Sequence, residues 1–128
     1  MNEPKTQAAL RPAGWRCLTP RIVTREPQGL VQFIKQVFGA EGELQTARPT
    51  VLSLGDCMLM ISDAPIRDSV PAFLYLYVPN VDDTYQRAVK SGAESLEAPA
   101  NLPYGDRRAM VKDRWGNLWQ IATYLGEC

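Results

Sequence analysis

The sequence contains no histidine among its 128 residues. Histidine is the usual general base near neutral pH and the commonest metal ligand. Its absence excludes a Ser-His-Asp triad, a Cys-His dyad and any imidazole-based metal site built from this chain. Only three cysteines are present, Cys17, Cys57 and Cys128, and they lack the C-x-x-C spacing of a zinc or redox motif. We interpret them as reduced thiols of a cytoplasmic protein.

An excess of charge of one sign and a long apolar run are missing too. Lys+Arg and Asp+Glu number 14 each, so the chain has no general attraction for nucleic acid or anionic membranes. No apolar run approaches the ~20 residues of a membrane span, and residues 1–14 lack the apolar segment of a signal peptide. We predict a cytoplasmic protein without nucleic-acid or membrane partners. Its zero net charge favours self-association.

The length of the chain, with 45% hydrophobic residues, fits one domain with its own core. We predict a flexible N-terminal arm over residues 1–15 and a single domain over residues 16–128. In the first half of the domain, Pro27 opens a helix that ends at Gly39. The buried stripe of this helix follows i, i+4, i+7, i+8 spacing at Leu30, Ile34, Val37 and Phe38. Strands are predicted at residues 16–24, 43–47, 50–54 and 57–62.

The second half repeats this order. The helical spacing recurs at Val81, Tyr85, Ala88 and Val89, and Gly92 follows that helix. Strands are predicted at residues 73–78, 95–98, 107–111 and 118–123. Gly-Ala-Glu follows both helices, at Gly39 and Gly92, which favours an internal duplication. We therefore predict an α+β protein of two tandem βαβββ modules. Module one spans residues 16–63, a linker spans 64–71, and module two spans 72–125.

Two segments of the second half carry a family resemblance: Tyr104 to Arg107, and Asp113 to Thr123 with its DRWGN turn. Together with Phe33 to Glu41 and Leu54 to Asp56, they resemble the glyoxalase / bleomycin-resistance / extradiol-dioxygenase (vicinal oxygen chelate) superfamily. The resemblance implies mixed sheets that curl around a cavity, helices outside, and assembly as a homodimer. Enzymes of the family chelate their substrate through a metal, whereas antibiotic-resistance members hold a drug without one.

The resemblance also places four metal-ligand positions in this chain. They fall on Thr19, on Leu59 or Met60, on Phe73 and on Gln120. Hydroxyl, aliphatic or thioether, phenyl and amide groups do not form a site for a divalent metal. We expect no metal and no other cofactor.

A ligand cavity is the remaining expectation at these positions. Strand alternation adds inward-facing neighbours to them. The predicted ligand-binding residues are Thr19, Arg21, Leu59, Met60, Phe73, Tyr75, Tyr77, Tyr104, Arg107 and Gln120. Three alternatives stay open at these positions. The alternating aromatics of residues 73–78 either line the cavity or are ordinary core and surface residues. Tyr104 is a lid or a turn-packing residue, and Arg107 binds the ligand or pairs with Asp106 or Asp113.

These expectations favour a binding protein over an enzyme. We predict a metal-independent protein that binds a small aromatic or planar organic compound, with sequestration of a drug or metabolite as the role that the bleomycin-resistance resemblance implies. The alternative is a superfamily enzyme of unknown substrate, a lyase, isomerase or dioxygenase. A metal-free lyase or isomerase would need a tyrosine, arginine or carboxylate to replace the ion. A metalloenzyme with unforeseen ligands and a partner-binding module are two further hypotheses.

Overall fold

The computed structural model describes residues 11–64 and 68–126. In chain order the elements are β1 (Arg21–Thr24), α1 (Pro27–Phe38), β2 (Thr50–Leu54), β3 (Cys57–Asp63), β4 (Phe73–Tyr77), α2 (Val81–Lys90), β5 (Glu94–Asn101), β6 (Asp106–Lys112) and β7 (Leu118–Tyr124). No helix within the described ranges is long and apolar enough to cross a membrane. Most of the predicted arm, residues 65–67 of the linker, and Cys128 lie outside the described residues.

The strands form two mixed sheets, one for each half of the chain. The first has the order β1-β3-β2 and the second the order β4-β7-β6-β5. In each sheet the first strand of the half runs parallel to the last, and the remaining neighbours are antiparallel. The same pairing in both halves confirms the α+β fold of two tandem modules.

Helix α1 matches its prediction at both ends. Pro27 occupies the first turn, and Gly39 adopts the left-handed conformation (φ 73°) while its N–H donates to the Lys35 carbonyl at 3.0 Å. Leu30, Ile34 and Val37 are buried, as predicted. The helix therefore buries one apolar face against the sheets.

Helix α2 differs in its buried face. Asn80 caps it by accepting from the N–H of Asp83 at 3.1 Å. Val81, Thr84 and Ala88 are buried, whereas Val89 is 40% exposed. The prediction that Val89 is buried was wrong, because the stripe runs through Thr84, at i+3 from Val81, and turns Val89 outward.

Two predicted strands of module one differ from the structure. The first strand begins at Arg21 rather than at residue 16, since Pro20 immediately before it has no N–H for a ladder. Residues 43–47 form no strand. The N–H of Gln45 donates to the Thr50 hydroxyl at 2.8 Å. The chain before β2 contacts the sheet at an earlier residue, through an isolated antiparallel bridge between Glu41 and Ser53. In module two, β5 is longer than predicted.

One buried cluster joins the two modules. The rings of Phe38 and Trp119 lie 4.6 Å apart, and those of Phe33 and Trp115 lie 5.9 Å apart. The Trp115 indole also donates to the Glu26 carboxylate at 2.8 Å. The modules are thus packed through α1, which leaves the opposite face of each sheet outside the core.

Candidate functional site

An aromatic face on module two is built by alternate residues of β4. Phe73, Tyr75 and Tyr77 are 61%, 40% and 58% exposed, whereas Leu74 between them packs against the core. Strand geometry sends successive side chains to opposite faces, so these three rings share one face. Their exposure is that of an open surface. Exposed aromatic side chains of this number on one strand form an apolar patch, a feature that is common at interaction surfaces.

A buried carboxylate holds two of these rings. The hydroxyls of Tyr75 and Tyr77 both donate to Oδ2 of Asp106, at 2.5 and 2.9 Å, and Asp106 is only 3% exposed. The two ring centroids lie 5.5 Å apart. From the sequence, Asp106 is expected only as a partner of Arg107. Nothing in the local sequence signals its contact with residues about 30 positions away.

The bond to Asp106 raises the pKa of both tyrosines above the ordinary value. For Tyr75 burial is the larger cause and the Asp106 bond the second, whereas for Tyr77 the Asp106 bond comes first. Both causes disfavour the phenolate. The two hydroxyls therefore remain protonated donors at neutral pH.

Strand β7 lies between the strand that carries Tyr75 and Tyr77 and the strand that carries Asp106. Tyr77 pairs with Ala122, which pairs with Arg108 on β6, so Asp106 lies two strands away from β4. Neighbouring strands are about 4.8 Å apart, so each tyrosine has to extend across β7. Ala122 is fully buried although it shares the face of the exposed rings. A small residue at this position lets the tyrosines lie across the sheet.

Gln120 lies at the centre of the same face. It pairs with Tyr75 on one side and with Met110 on the other, and it is half-buried. Phe73 pairs with Leu118. The structure thus places four of the predicted site residues, Phe73, Tyr75, Tyr77 and Gln120, on one face of the second sheet.

Arg107 does not join this face. Its guanidinium donates to both carboxylate oxygens of Asp82, at 2.8 and 3.0 Å, and to Asn101 at 3.1 Å. The ion pair is thus made with helix α2, and the predicted partners Asp106 and Asp113 were wrong. The bond from Arg107 lowers the pKa of the Asp82 carboxyl. An arginine engaged in this way anchors α2 to the sheet.

Tyr104 lies beside the aromatic face. It is 62% exposed, and its hydroxyl accepts from Arg108 at 2.9 Å. Arg108 also lies 3.8 Å from the carboxylate of Glu97. These contacts hold Tyr104 by its hydroxyl and leave its ring exposed.

The predicted residues of module one are divided between two faces. Arg21 donates to the Ser62 hydroxyl at 2.7 Å and pairs with Met60. Leu59 is 3% exposed and belongs to the core, so of the two alternatives only Met60 shares the face of Arg21. Thr19 precedes β1 and is half-buried.

A separate concavity with a volume of about 510 Å³ lies at the end of module one. Its lining includes Arg21, Arg25, Arg48 and Ser62, together with residues at the start of α1. Arg25 lies 3.6 Å from Asp68, and the acidic side chains of Glu26 and Asp63 also line the space. The concavity is therefore polar and of mixed charge, unlike the aromatic face.

A second buried carboxylate, Asp113, organises the turn between β6 and β7. It accepts from the backbone N–H groups of Trp115 and Asn117, from the Asn117 amide and from the Trp119 indole, all within 3.1 Å. Asp113 was predicted as a turn-former, and the structure adds its bond to Trp119. The network fixes the register in which β7 presents Gln120 and Ala122.

The positions that hold a metal in related enzymes do not fit one here. They provide Thr19 outside a strand, Met60 or the core residue Leu59, the exposed phenyl of Phe73, and Gln120. None of these is an imidazole or a carboxylate, the groups on which divalent sites of this kind depend. Within the described ranges, no three His, Cys, Asp or Glu side chains are grouped to hold an ion.

Two tandem modules, βαββ in the first half and βαβββ in the second, each a mixed sheet with a helix on one face, define the class of protein. The chain belongs to the Glyoxalase/Bleomycin resistance protein/Dioxygenase superfamily, whose sequence profile matches residues 16–121.

Solved structures share this fold at low sequence identity. TioX from Micromonospora sp. ML1 is 24% identical, with a TM-score of 0.71 over 84% of this chain and 98% of that one. A glyoxalase/bleomycin resistance protein/dioxygenase family enzyme from Burkholderia phytofirmans PsJN is 20% identical, with a TM-score of 0.73 over 84% and 97%. At these identities the likeness shows the fold alone.

Curated relatives match a shorter segment. An uncharacterized protein of Mycobacterium bovis is 33% identical over 57 residues, which are 44% of this chain and 38% of that protein. The match thus spans less than half the length of either protein.

Proposed function

We propose that this protein binds a small planar or aromatic organic molecule, without a metal, on the aromatic face of module two. The observation that carries the proposal is the exposure of Phe73, Tyr75 and Tyr77 on one face, with two of the rings tied to a buried carboxylate. Rings held in place lose little side-chain freedom when a ligand stacks on them. The polar anchors are Gln120 and Tyr104 at the centre and edge of the face.

The binding role is favoured by the chemistry of the metal positions. Superfamily members that hold a drug need no ion, and the residues at the four positions of this chain offer hydrocarbon, thioether, hydroxyl and amide groups. Sequestration of a toxic or regulatory compound is the corresponding role.

We infer that the protein acts as a homodimer in which the aromatic face of module two is covered by a second copy. An open sheet face with three large exposed aromatics needs a second wall to enclose a small molecule. Sedimentation equilibrium should give twice the 14.3 kDa chain mass. A monomer at all concentrations would show that the face works as an open surface.

We also infer a cytoplasmic location and no nucleic-acid or membrane partner. Cys17 and Cys57 are free and exposed thiols, which suit a reducing compartment. The equal numbers of acidic and basic residues offer no general attraction for polyanions.

Thermal-shift measurement with a panel of planar aromatic compounds tests the binding role. A true ligand at a hundred times its dissociation constant should stabilise the fold by about 2.7 kcal/mol. The substitution Phe73→Ala should reduce that shift, whereas Val89→Ala, at an exposed aliphatic residue on α2, should leave it unchanged. If no compound of the panel raises the melting temperature, the proposal fails.

A metal-free lyase or isomerase is the second candidate. Its candidate acid–base groups are the hydroxyls of Tyr75 and Tyr77 and the carboxylate of Asp106, although each phenolic O–H is donated to Asp106 and would have to leave it to reach a substrate on the face. The raised pKa of the two tyrosines makes them weak acids and leaves no phenolate to act as a base at neutral pH, so the base would have to come from the substrate or from a carboxylate. Turnover that Tyr75→Phe abolishes while ligand affinity stays constant would establish catalysis.

A further inference from the structure

The charge of Asp106 is the unusual feature of the aromatic face. Asp106 is 3% exposed, and its side chain accepts hydrogen bonds from the neutral hydroxyls of Tyr75 and Tyr77. Within residues 11–64 and 68–126, no lysine or arginine lies within 4.0 Å of its carboxylate as an ion-pair partner. A buried carboxylate without a counter-charge is costly, and two phenol donors compensate for only part of that cost.

The nearest basic residue on the same strand face is engaged elsewhere. Arg108, two residues along β6, donates to the Tyr104 hydroxyl and lies 3.8 Å from the Glu97 carboxylate. Lys112, the next basic residue of this face, is at the far end of β6, beside Leu118. Neither residue supplies the charge that Asp106 lacks.

The two tyrosine rings extend the electrostatic effect of the Asp106 charge to the exposed face. Both hydroxyls are fixed on Asp106, while the residues Tyr75 and Tyr77 as a whole remain 40% and 58% exposed. The face of an aromatic ring is the negative part of its quadrupole and attracts cations. A carboxylate hydrogen-bonded to the hydroxyl makes the ring richer in electrons, so the two effects add.

We propose that the ligand of this face is an organic cation, a planar compound with a quaternary or protonated ring nitrogen, which stacks on Tyr75 and Tyr77 above the charge of Asp106. This inference rests on the proposed binding function and names its ligand class. The cation would supply the counter-charge that the chain leaves out. A neutral compound of the same shape would gain only the apolar contact.

A matched pair of probes separates charge from shape. N-methylquinolinium and 1-methylnaphthalene have nearly the same size and outline, and only the first is charged. We expect calorimetric or NMR titration to show about tenfold tighter binding of the cation, the range of a partly desolvated cation–π contact. Asp106→Asn should reduce this preference severalfold, and Asp83→Asn, at an exposed aspartate on α2, should not.

Each outcome has a definite meaning. Equal affinity for the two probes would overturn the cation inference while the proposed binding function stands. Failure of both probes to bind would count against both proposals. If Asp106→Asn does not fold, Tyr77→Leu decides, since that exposed ring can be removed without emptying the core; an unchanged cation affinity there would also overturn the inference.

Discussion

Replacement of Asp113 by alanine should be among the most destabilising single changes in module two. Its carboxylate accepts from four different donors, and three of them are deeply buried, the Asn117 backbone N–H, the Asn117 side-chain amide and the Trp119 indole. A buried donor left without an acceptor costs about 1–3 kcal/mol, so three of them cost roughly 3–9 kcal/mol before the site relaxes. We expect a loss of about 3–4 kcal/mol from a domain whose total stability is on the order of 5–15 kcal/mol.

Urea denaturation and calorimetry measure this loss directly. The expected decrease corresponds to a fall in melting temperature of roughly 10–20 °C for a domain of this size. Asp63→Ala is the matched control, because Asp63 is exposed at the end of β3, and it should change stability by less than about 0.5 kcal/mol. Equal effects of the two substitutions would refute the argument that the buried network, and not loss of a charge, fixes the turn.

Three further predictions concern packing and titration. Gly29→Ala should destabilise the protein by about 1 kcal/mol despite alanine's better helix propensity, because the added Cβ would lie 2.7 Å from the Trp115 ring; a higher urea midpoint would contradict this. Arg107→Gln should raise the pKa of Asp82, seen by NMR titration. Because the pKa of Asp82 is lowered in the folded protein, the ion pair contributes stability above the unfolded-state pKa of Asp82, and this stability is lost as the pH falls through the folded-state pKa. The variant should therefore lose less stability on acidification. An unchanged Asp82 titration would count against the ion pair. Ultraviolet titration should show two tyrosines that ionise late, and Asp106→Asn should lower the pKa of both, while the part of the Tyr75 shift that burial causes should remain. Because the folded pKa values are raised, the stability they contribute is present below about pH 10 and lost as pH rises through them; early ionisation of all tyrosines would refute the Asp106 contacts.

Local sequence patterns were sufficient to predict most of the helices and strands of the fold. Pro27 and Gly39 marked the ends of α1, and the strands predicted at residues 50–54 and 57–62 correspond to β2 and β3, since these features depend on the preferences of the residues themselves. The errors fell where tertiary contacts compete with local preference. Residues 43–47 were predicted to form a strand, but the Thr50 hydroxyl accepts from the Gln45 N–H that a strand would need for its ladder.

The candidate site could be predicted from the sequence only in part. Alternation placed Phe73, Tyr75 and Tyr77 on one face, because strand periodicity is a local property. It could not choose between Leu59 and Met60, which differ by one register step, and it could not exclude Arg107, whose partner Asp82 lies on another element.

The sequence by itself therefore determined the duplicated α+β architecture, the aromatic strand and the lack of imidazole ligands, all of which follow from residue identity and spacing. Only the tertiary structure decided that Asp106 holds Tyr75 and Tyr77. The reason is physical: that contact depends on the order β4-β7-β6 and on a small residue, Ala122, between the outer two strands, and strand order across a sheet is set by the packing of the whole module.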